Sequence, residues 1–316
     1  MASFDAVNYS LRPNKTIQRL LAFDALAALR AIMPWKDVAY IGLGSIWFTD
    51  FVMAHKRLGI ERMISIESDP IGYRRALYNQ PFRTVTVREG LSYDVVPEFY
   101  DDPDMMRRPW IIWLDYDQPL TDDAIVELRG VIERAPDNSV LLTTVDASGK
   151  RYGVGPEEKS ESLRRLLGDV VPDRLDKTAL TEPDSFALTL AQLLESFLSS
   201  IARSCSRTGG WVPAFRLPYR DKAAMVTVGG VLTAQDTYAR CRELVRSPTW
   251  NAQSSRMIVA PHLTLRELAV LQAQLPGTEA LNRAMVQALG FDLGEDQIEV
   301  FESYYKYYPA FAQISA

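Results

Sequence analysis

Two glycines and a few carboxylates carry the chemistry for which this sequence can be read. The segment Tyr40-Ile-Gly-Leu-Gly-Ser-Ile46 joins an apolar stretch to a helical one. Gly42 and Gly44 would let the backbone pass close to a ligand, where any Cβ would collide. Ser45 could cap the following helix, whose exposed N–H groups favour polar or anionic ligand groups. Glu67 closes the next apolar segment, near the distance beyond such glycines at which an acid meets a ribose. Its carboxylate could accept a hydrogen bond from each of two adjacent hydroxyls. An exposed strand-end acid without a ligand is the plainer alternative.

Two further strand ends are polar. Glu89-Gly90-Leu91-Ser92 could reach the edge of a nucleobase, although loops collect polar residues in any case. Asp115-Tyr-Asp-Gln-Pro-Leu120 follows an almost wholly apolar run. In open α/β sheets, ligands sit beyond the carboxyl ends of the strands, so Asp115 and Asp117 would face the site. Either could accept a proton, while Asp117 could equally cap the next helix. Near the start of the chain, Tyr9-Ser-Leu-Arg-Pro-Asn-Lys15 with Arg19 gathers three cations at a helix start. Arg12, Lys15 and Arg19 form either a strip over the site that contacts a phosphate-bearing acceptor or a solvated face. Lys15 joins Asp115 and Asp117 as a candidate catalytic residue.

The elements that must position these residues alternate. Residues 16–33 show helical apolar spacing ahead of Pro34. Strands are expected over 37–42, 62–67, 83–88, 110–115 and 139–146, with helices over 47–58, 69–79 and 121–134 between them. This is an α/β fold, a Rossmann-like and mostly parallel sheet with helices on both faces. Residues 157–206 read as a helical insertion, clearest over 184–203. Two strands, 212–219 and 223–233, flank the polar turn Arg220-Asp221-Lys222 and form a terminal antiparallel hairpin. The rest, from Ala234, reads as helical. The expected organisation is therefore a helical cover over 1–36, a ligand-binding domain over 37–233 and a C-terminal helical region over 234–316.

Composition narrows the classes. The chain has 316 residues, 47% hydrophobic and 24% charged, and its net charge of -5 argues against a protein that grips nucleic acid by its overall field. Cys205 and Cys241 make no CxxC pair, and His55 and His262 lie outside any metal-ligating motif, so neither a disulfide framework nor a metal site is expected. There is no signal-peptide pattern and no apolar run approaching a membrane span, so the chain is expected to be cytoplasmic.

Together, the glycine loop, Glu67, Glu89-Gly90, Asp115 and the terminal hairpin resemble a class I S-adenosylmethionine-dependent methyltransferase over residues 37–233. The resemblance implies S-adenosylmethionine as cofactor, with contacts at Gly42, Gly44, Glu67, Glu89, Gly90 and Asp115, the last holding the sulfonium-bearing end. Tyr40 stands where that family often has an acid, and Ile46 replaces its third glycine. Asp115-Tyr-Asp-Gln does not match the motif of enzymes that methylate amino groups of DNA bases. Neither cysteine follows a proline as the nucleophile of a cytosine C5 enzyme does. Transfer to an oxygen or nitrogen of an unidentified acceptor remains. A non-catalytic cofactor-binding partner protein is the alternative, with the aromatic cluster Phe301, Tyr304, Tyr305, Tyr307 and Tyr308 as its docking surface or as ordinary core. A nicotinamide dehydrogenase is disfavoured by Trp47, which occupies the place of its third glycine, and by the hairpin.

Overall fold

A computed structural model describes residues 12–309; Tyr9 of the N-terminal motif lies outside them. The first described element is α1 (Pro13–Arg30), begun by a proline in its first turn, where the missing N–H costs nothing. Five strands with helices between them follow: β1 (Ala39–Leu43), α2 (Thr49–Leu58), β2 (Arg62–Glu67), α3 (Pro70–Tyr78), β3 (Val85–Glu89), α4 (Ser92–Tyr100), α5 (Pro103–Met106), β4 (Trp110–Asp115), α6 (Asp122–Arg134) and β5 (Ser139–Asp146). Then come α7 (Pro156–Leu167), α8 (Lys177–Thr181), α9 (Pro183–Ser204), β6 (Trp211–Arg220), β7 (Ala224–Leu232), α10 (Tyr238–Arg246), α11 (Leu265–Gln272), α12 (Arg283–Ala288) and α13 (Glu295–Tyr304).

The seven strands lie in the order β3-β2-β1-β4-β5-β7-β6. β1 to β5 are parallel, and β7 runs antiparallel between β5 and β6. Strand order reverses between β1 and β4, which places a crevice beyond their carboxyl ends. Alternate side chains feed two cores. Tyr40, Ile111 and Trp113 face α1, α2 and the C-terminal helices. Ile41, Ile112 and Leu114 face α4, α6 and α9.

Two local expectations are corrected. The helices over 157–206 lie between β5 and β6, and α9 packs on β6 and β7 as it carries the chain across to the hairpin. α9 is also long and apolar enough, by length and composition, to cross a membrane. Its apolar side chains Phe186, Leu190, Leu194 and Leu198 are buried in the second core, so it serves as a core helix. Beyond Ala234 the chain is only partly helical. Residues 252–258 run irregularly along β6 and bridge to it at Arg216–Gln253 and Tyr219–Ile258. The C-terminal aromatics are core: Phe301 and Tyr308 are buried, and Tyr304, Tyr305 and Tyr307 pack against them.

A chain of buried polar groups ties α1 to the sheet. Gln18 Nε2 donates to Thr227 Oγ1 at 3.0 Å, and Thr227 Oγ1 shares a 2.8 Å bond with Thr144 Oγ1. Trp113 Nε1 donates to the same Thr144 oxygen at 3.0 Å. Asn14 bonds both Arg220 O and Ala260 N. Buried polar atoms satisfied in this way fix one arrangement, because any shift leaves several unpaired.

Candidate functional site

The crevice holds two adjoining cavities. The larger, of about 310 Å³, is lined by the ends of β1, β2 and β4, by Gly90 to Tyr93, and by one face of α6. The smaller, of about 50 Å³, lies under the start of α1 and is lined by Lys15, Arg19, Ser45, Phe48, Asp50 and neighbours. Leu43, Gly44, Asp115 and Asp117 border both.

The glycine loop has its shape for reasons other than those the sequence suggests. A Cβ on Gly44 would lie 2.7 Å from Glu67 Cβ and 2.8 Å from Ile66 O. The glycine is therefore required where β1 and β2 draw together, and Gly44 N donates to Ile66 O there. At Gly42 the space is filled by the rings of Phe51 and Tyr40, each 3.3 Å from where a Cβ would sit. Close approach to a ligand thus accounts for neither glycine by itself, although Gly44 does line both cavities. Tyr40 packs edge-on against Phe51, with centroids 5.1 Å apart, and is part of the core.

Ser45 does not cap α2. That helix begins at Thr49 after Phe48, a left-handed residue with no side-chain cap, while Ser45 Oγ accepts from Trp47 N at 3.2 Å. Trp47 is 44% exposed and lies outside both cavity linings.

Glu67 lines the larger cavity from the end of β2 and is half-buried. One oxygen, Oε1, accepts from Asp69 N at 3.0 Å, which orients the carboxylate. Burial, then the charges of Asp69 and Asp117, push its pKa up against the backbone donors that pull it down. Glu89 pairs with Glu67 in the sheet register, is exposed and lies outside the lining of the larger cavity. Gly90 does line the cavity. Its φ of +143° and a Val95 methyl 2.8 Å from where a Cβ would lie both call for glycine.

Around the smaller cavity the charges interlock. Lys15 Nζ and Arg19 Nη2 each lie 3.2 Å from Asp115 Oδ2. Arg19 also grips Asp50 through Nε and through Nη2, the latter at 3.3 Å. Arg19 is only 7% exposed. Burial opposes its charge, but Asp50 and then Asp115 more than offset this and raise its pKa above the ordinary arginine range. Asp115 Oδ1 is buried and accepts no hydrogen bond among the described residues. Lys15 and Arg19 therefore are not a solvated face. Arg12 stands at the N-cap of α1, outside both cavity linings, and its charge acts on Asp221. Asp117 is exposed and borders both cavities; the cap of α6 is Thr121, which accepts from Ala124 N at 3.2 Å.

The sequence reading missed the wall residues Tyr93 and Glu127, and it named Leu91, Ser92, Tyr116 and Gln118 only as members of their segments. Among the described residues, no group of three or more His, Cys, Asp or Glu side chains could hold a metal ion.

A family model described as "Putative O-methyltransferase" matches residues 7–316. No curated protein sequence matches the chain. Solved structures with a similar fold include Trm1 from Pyrococcus horikoshii with S-adenosyl-L-methionine, at 12% identity, covering 72% of this chain and 58% of that one, with a TM-score of 0.46. The chain thus spans little more than half the length of that protein. Another is an O-methyltransferase from Bacillus cereus in complex with SAH, at 13% identity, covering 73% of this chain and 86% of that one, with a TM-score of 0.41. Since the family model runs through nearly the whole sequence, the chain belongs to the family described as "Putative O-methyltransferase", within the class I methyltransferases that its strand-end motifs resemble.

Proposed function

We propose that this protein transfers the methyl group of S-adenosylmethionine to an oxygen of a small acceptor. The observation that carries the reading is Glu67, held at the end of β2 against Gly44 and bordering a cavity at the point where strand order reverses. That is where an α/β sheet offers a carboxylate to ribose hydroxyls. The family description favours oxygen over nitrogen as the acceptor atom.

The residues present fit such a cofactor. The larger cavity combines polar groups with the apolar rim of Leu91 and Tyr93, as a nucleoside requires. When bound, S-adenosylmethionine supplies an electrophilic methyl group on a sulfonium. Glu67 accepts from the ribose hydroxyls. Asp115, between the two cavities and fixed by Lys15 and Arg19, orients the charged end of the cofactor. Asp117, exposed and bordering both cavities, receives the proton that a hydroxyl acceptor must lose. Lys15 steadies the acceptor through its position beside Asp115.

Titration calorimetry with S-adenosylmethionine, S-adenosylhomocysteine and NAD tests the reading. Micromolar binding of the first two, weakened at least about tenfold in Glu67→Ala, is the expected result. Glu67→Ala keeps the Cβ against which Gly44 packs, so its unfolding midpoint should change little. Binding of NAD alone, or of none of the three, would overturn the cofactor.

A pH dependence follows. Hydroxyl donors favour the ionised form of Glu67, and its pKa in the free protein is raised. Affinity for S-adenosylhomocysteine should therefore be full above that raised pKa and decline as pH falls through it. Glu67→Gln should bind more weakly and lose this part of the pH profile. A wild-type profile that stays flat through the acidic range would remove Glu67 from the binding step.

A further inference from the structure

The end of β3 brings no acid to the larger cavity, because Glu89 is exposed and outside its lining, and Leu91 and Ser92 follow Gly90. An acid reaches the wall from another direction. Glu127, in the middle of α6, lines the same cavity and is 6% exposed. Ser92 Oγ donates to its Oε2 at 2.9 Å, and Tyr116 OH donates to the same oxygen at 2.6 Å. Both donors serve one oxygen. The other, Oε1, is buried and accepts no hydrogen bond among the described residues.

A buried carboxylate oxygen without a donor is costly, and such groups are rare in folded proteins unless a ligand or water completes them. The packing of α6 does not call for one, since Ala124, Leu128, Val131 and Ile132 make its apolar contacts. Burial pushes the Glu127 carboxyl up, while Tyr116 and Ser92 work to keep it ionised. The three side chains come from α4, from the loop after β4 and from α6, and they converge only at this wall.

We propose that Glu127 reads the amino edge of the nucleobase. Oε1 accepts a hydrogen bond from the exocyclic amino group of a purine held in the cavity, and Ser92 and Tyr116 fix the carboxylate through its other oxygen. The inference rests on the S-adenosylmethionine reading above and adds which edge of the base is recognised, and by which residue. It makes a 6-amino purine the required base. A 6-oxo purine would set its carbonyl oxygen against a carboxylate oxygen, with no proton between them. A site built for one donor rejects the analogue lacking it, because the buried acceptor is then left unpaired.

The test compares S-adenosylhomocysteine with S-inosylhomocysteine, which differ at that position, by titration against the wild type and Glu127→Gln. The wild type should bind the adenosyl compound about 100-fold more tightly. In Glu127→Gln, the amide oxygen still serves Ser92 and Tyr116, which leaves the amide NH2 to face the base as a donor. The preference should therefore shrink by at least about tenfold and move toward the inosyl compound. Equal binding of the two compounds by the wild type overturns the proposal without calling on any variant. So does a Glu127→Gln protein that is weaker toward both ligands by one factor with the preference unchanged, the behaviour of a purely structural residue. If the wild type binds neither compound, the cofactor reading itself fails and this inference falls with it.

Discussion

Gly44→Ala is expected to lose detectable binding of S-adenosylhomocysteine and to destabilise the fold by about 1–3 kcal/mol, the usual cost of forcing a methyl group into filled space. The new Cβ would lie 2.7 Å from Glu67 Cβ and 2.8 Å from Ile66 O. Neither atom is the loose end of a side chain. One is the root of the residue assigned to the ribose, and the other is the carbonyl to which Gly44 N donates. Relief therefore moves the end of β2 away from β1, and Glu67 moves with it. Gly42→Ala is the control on the same loop. Its Cβ meets ring atoms of Phe51 and Tyr40 at 3.3 Å, which can give by a few tenths of an ångström. It should cost less stability and leave affinity nearly intact. Urea unfolding and ligand titration on the two variants read both effects. Normal binding by Gly44→Ala would mean that the two strand ends can separate without disturbing the site.

The second large effect is expected at Arg19. Arg19→Met removes the cation that Asp50 and Asp115 share and leaves two partly buried carboxylates, of which Asp115 alone keeps an ion pair among the described residues, with Lys15. Breaking a buried ion pair from one side costs about 3–5 kcal/mol, because the stranded charge keeps its desolvation penalty. Arg19→Lys retains the charge but not the fork, and should recover only part of the loss. Arg19→Met combined with Asp50→Asn removes one of the stranded charges, so the double variant should be less destabilised than the sum of the single ones. Additivity within error would mean that the Arg19–Asp50 contact contributes nothing measurable.

The fold was legible because β4, Trp110-Ile-Ile-Trp-Leu-Asp115, is apolar on both faces, β1 runs into Gly44 and β2 ends in an acid. Short apolar runs that alternate with helical stretches read as buried parallel strands with polar groups at their carboxyl ends. Glu67 and Asp115 were legible for the same reason. Other features lie beyond single-sequence patterns. Glu127 reads as one more charged residue on an amphipathic helix, and only tertiary packing turns it inward. α4 carries Pro97 in its interior, which breaks the pattern a helix would show. Ser45 precedes a helical run closely enough to resemble a cap, but the chain spends four residues on a turn through left-handed Phe48 before α2 starts. The irregular run beside β6 has no period, because backbone bonds to Arg216, Pro218 and Arg220 set its path while Ala252, Met257 and Ile258 are buried at irregular spacing.

That run decides how the sheet meets other molecules. An open sheet has two edges, each a row of unpaired backbone groups that invites another chain to add a strand. On the β6 side, Arg216 exchanges backbone hydrogen bonds with Ala252 and Ser254, Pro218 O accepts from Ile258 N and Arg220 N donates to Ile258 O, so the template is occupied. The opposite edge is β3, five residues long and ending in Arg88 and Glu89. Short, charge-ended strands recruit partners poorly. Edge-to-edge polymerisation is thus blocked at one end by the protein's own chain and discouraged at the other by its brevity.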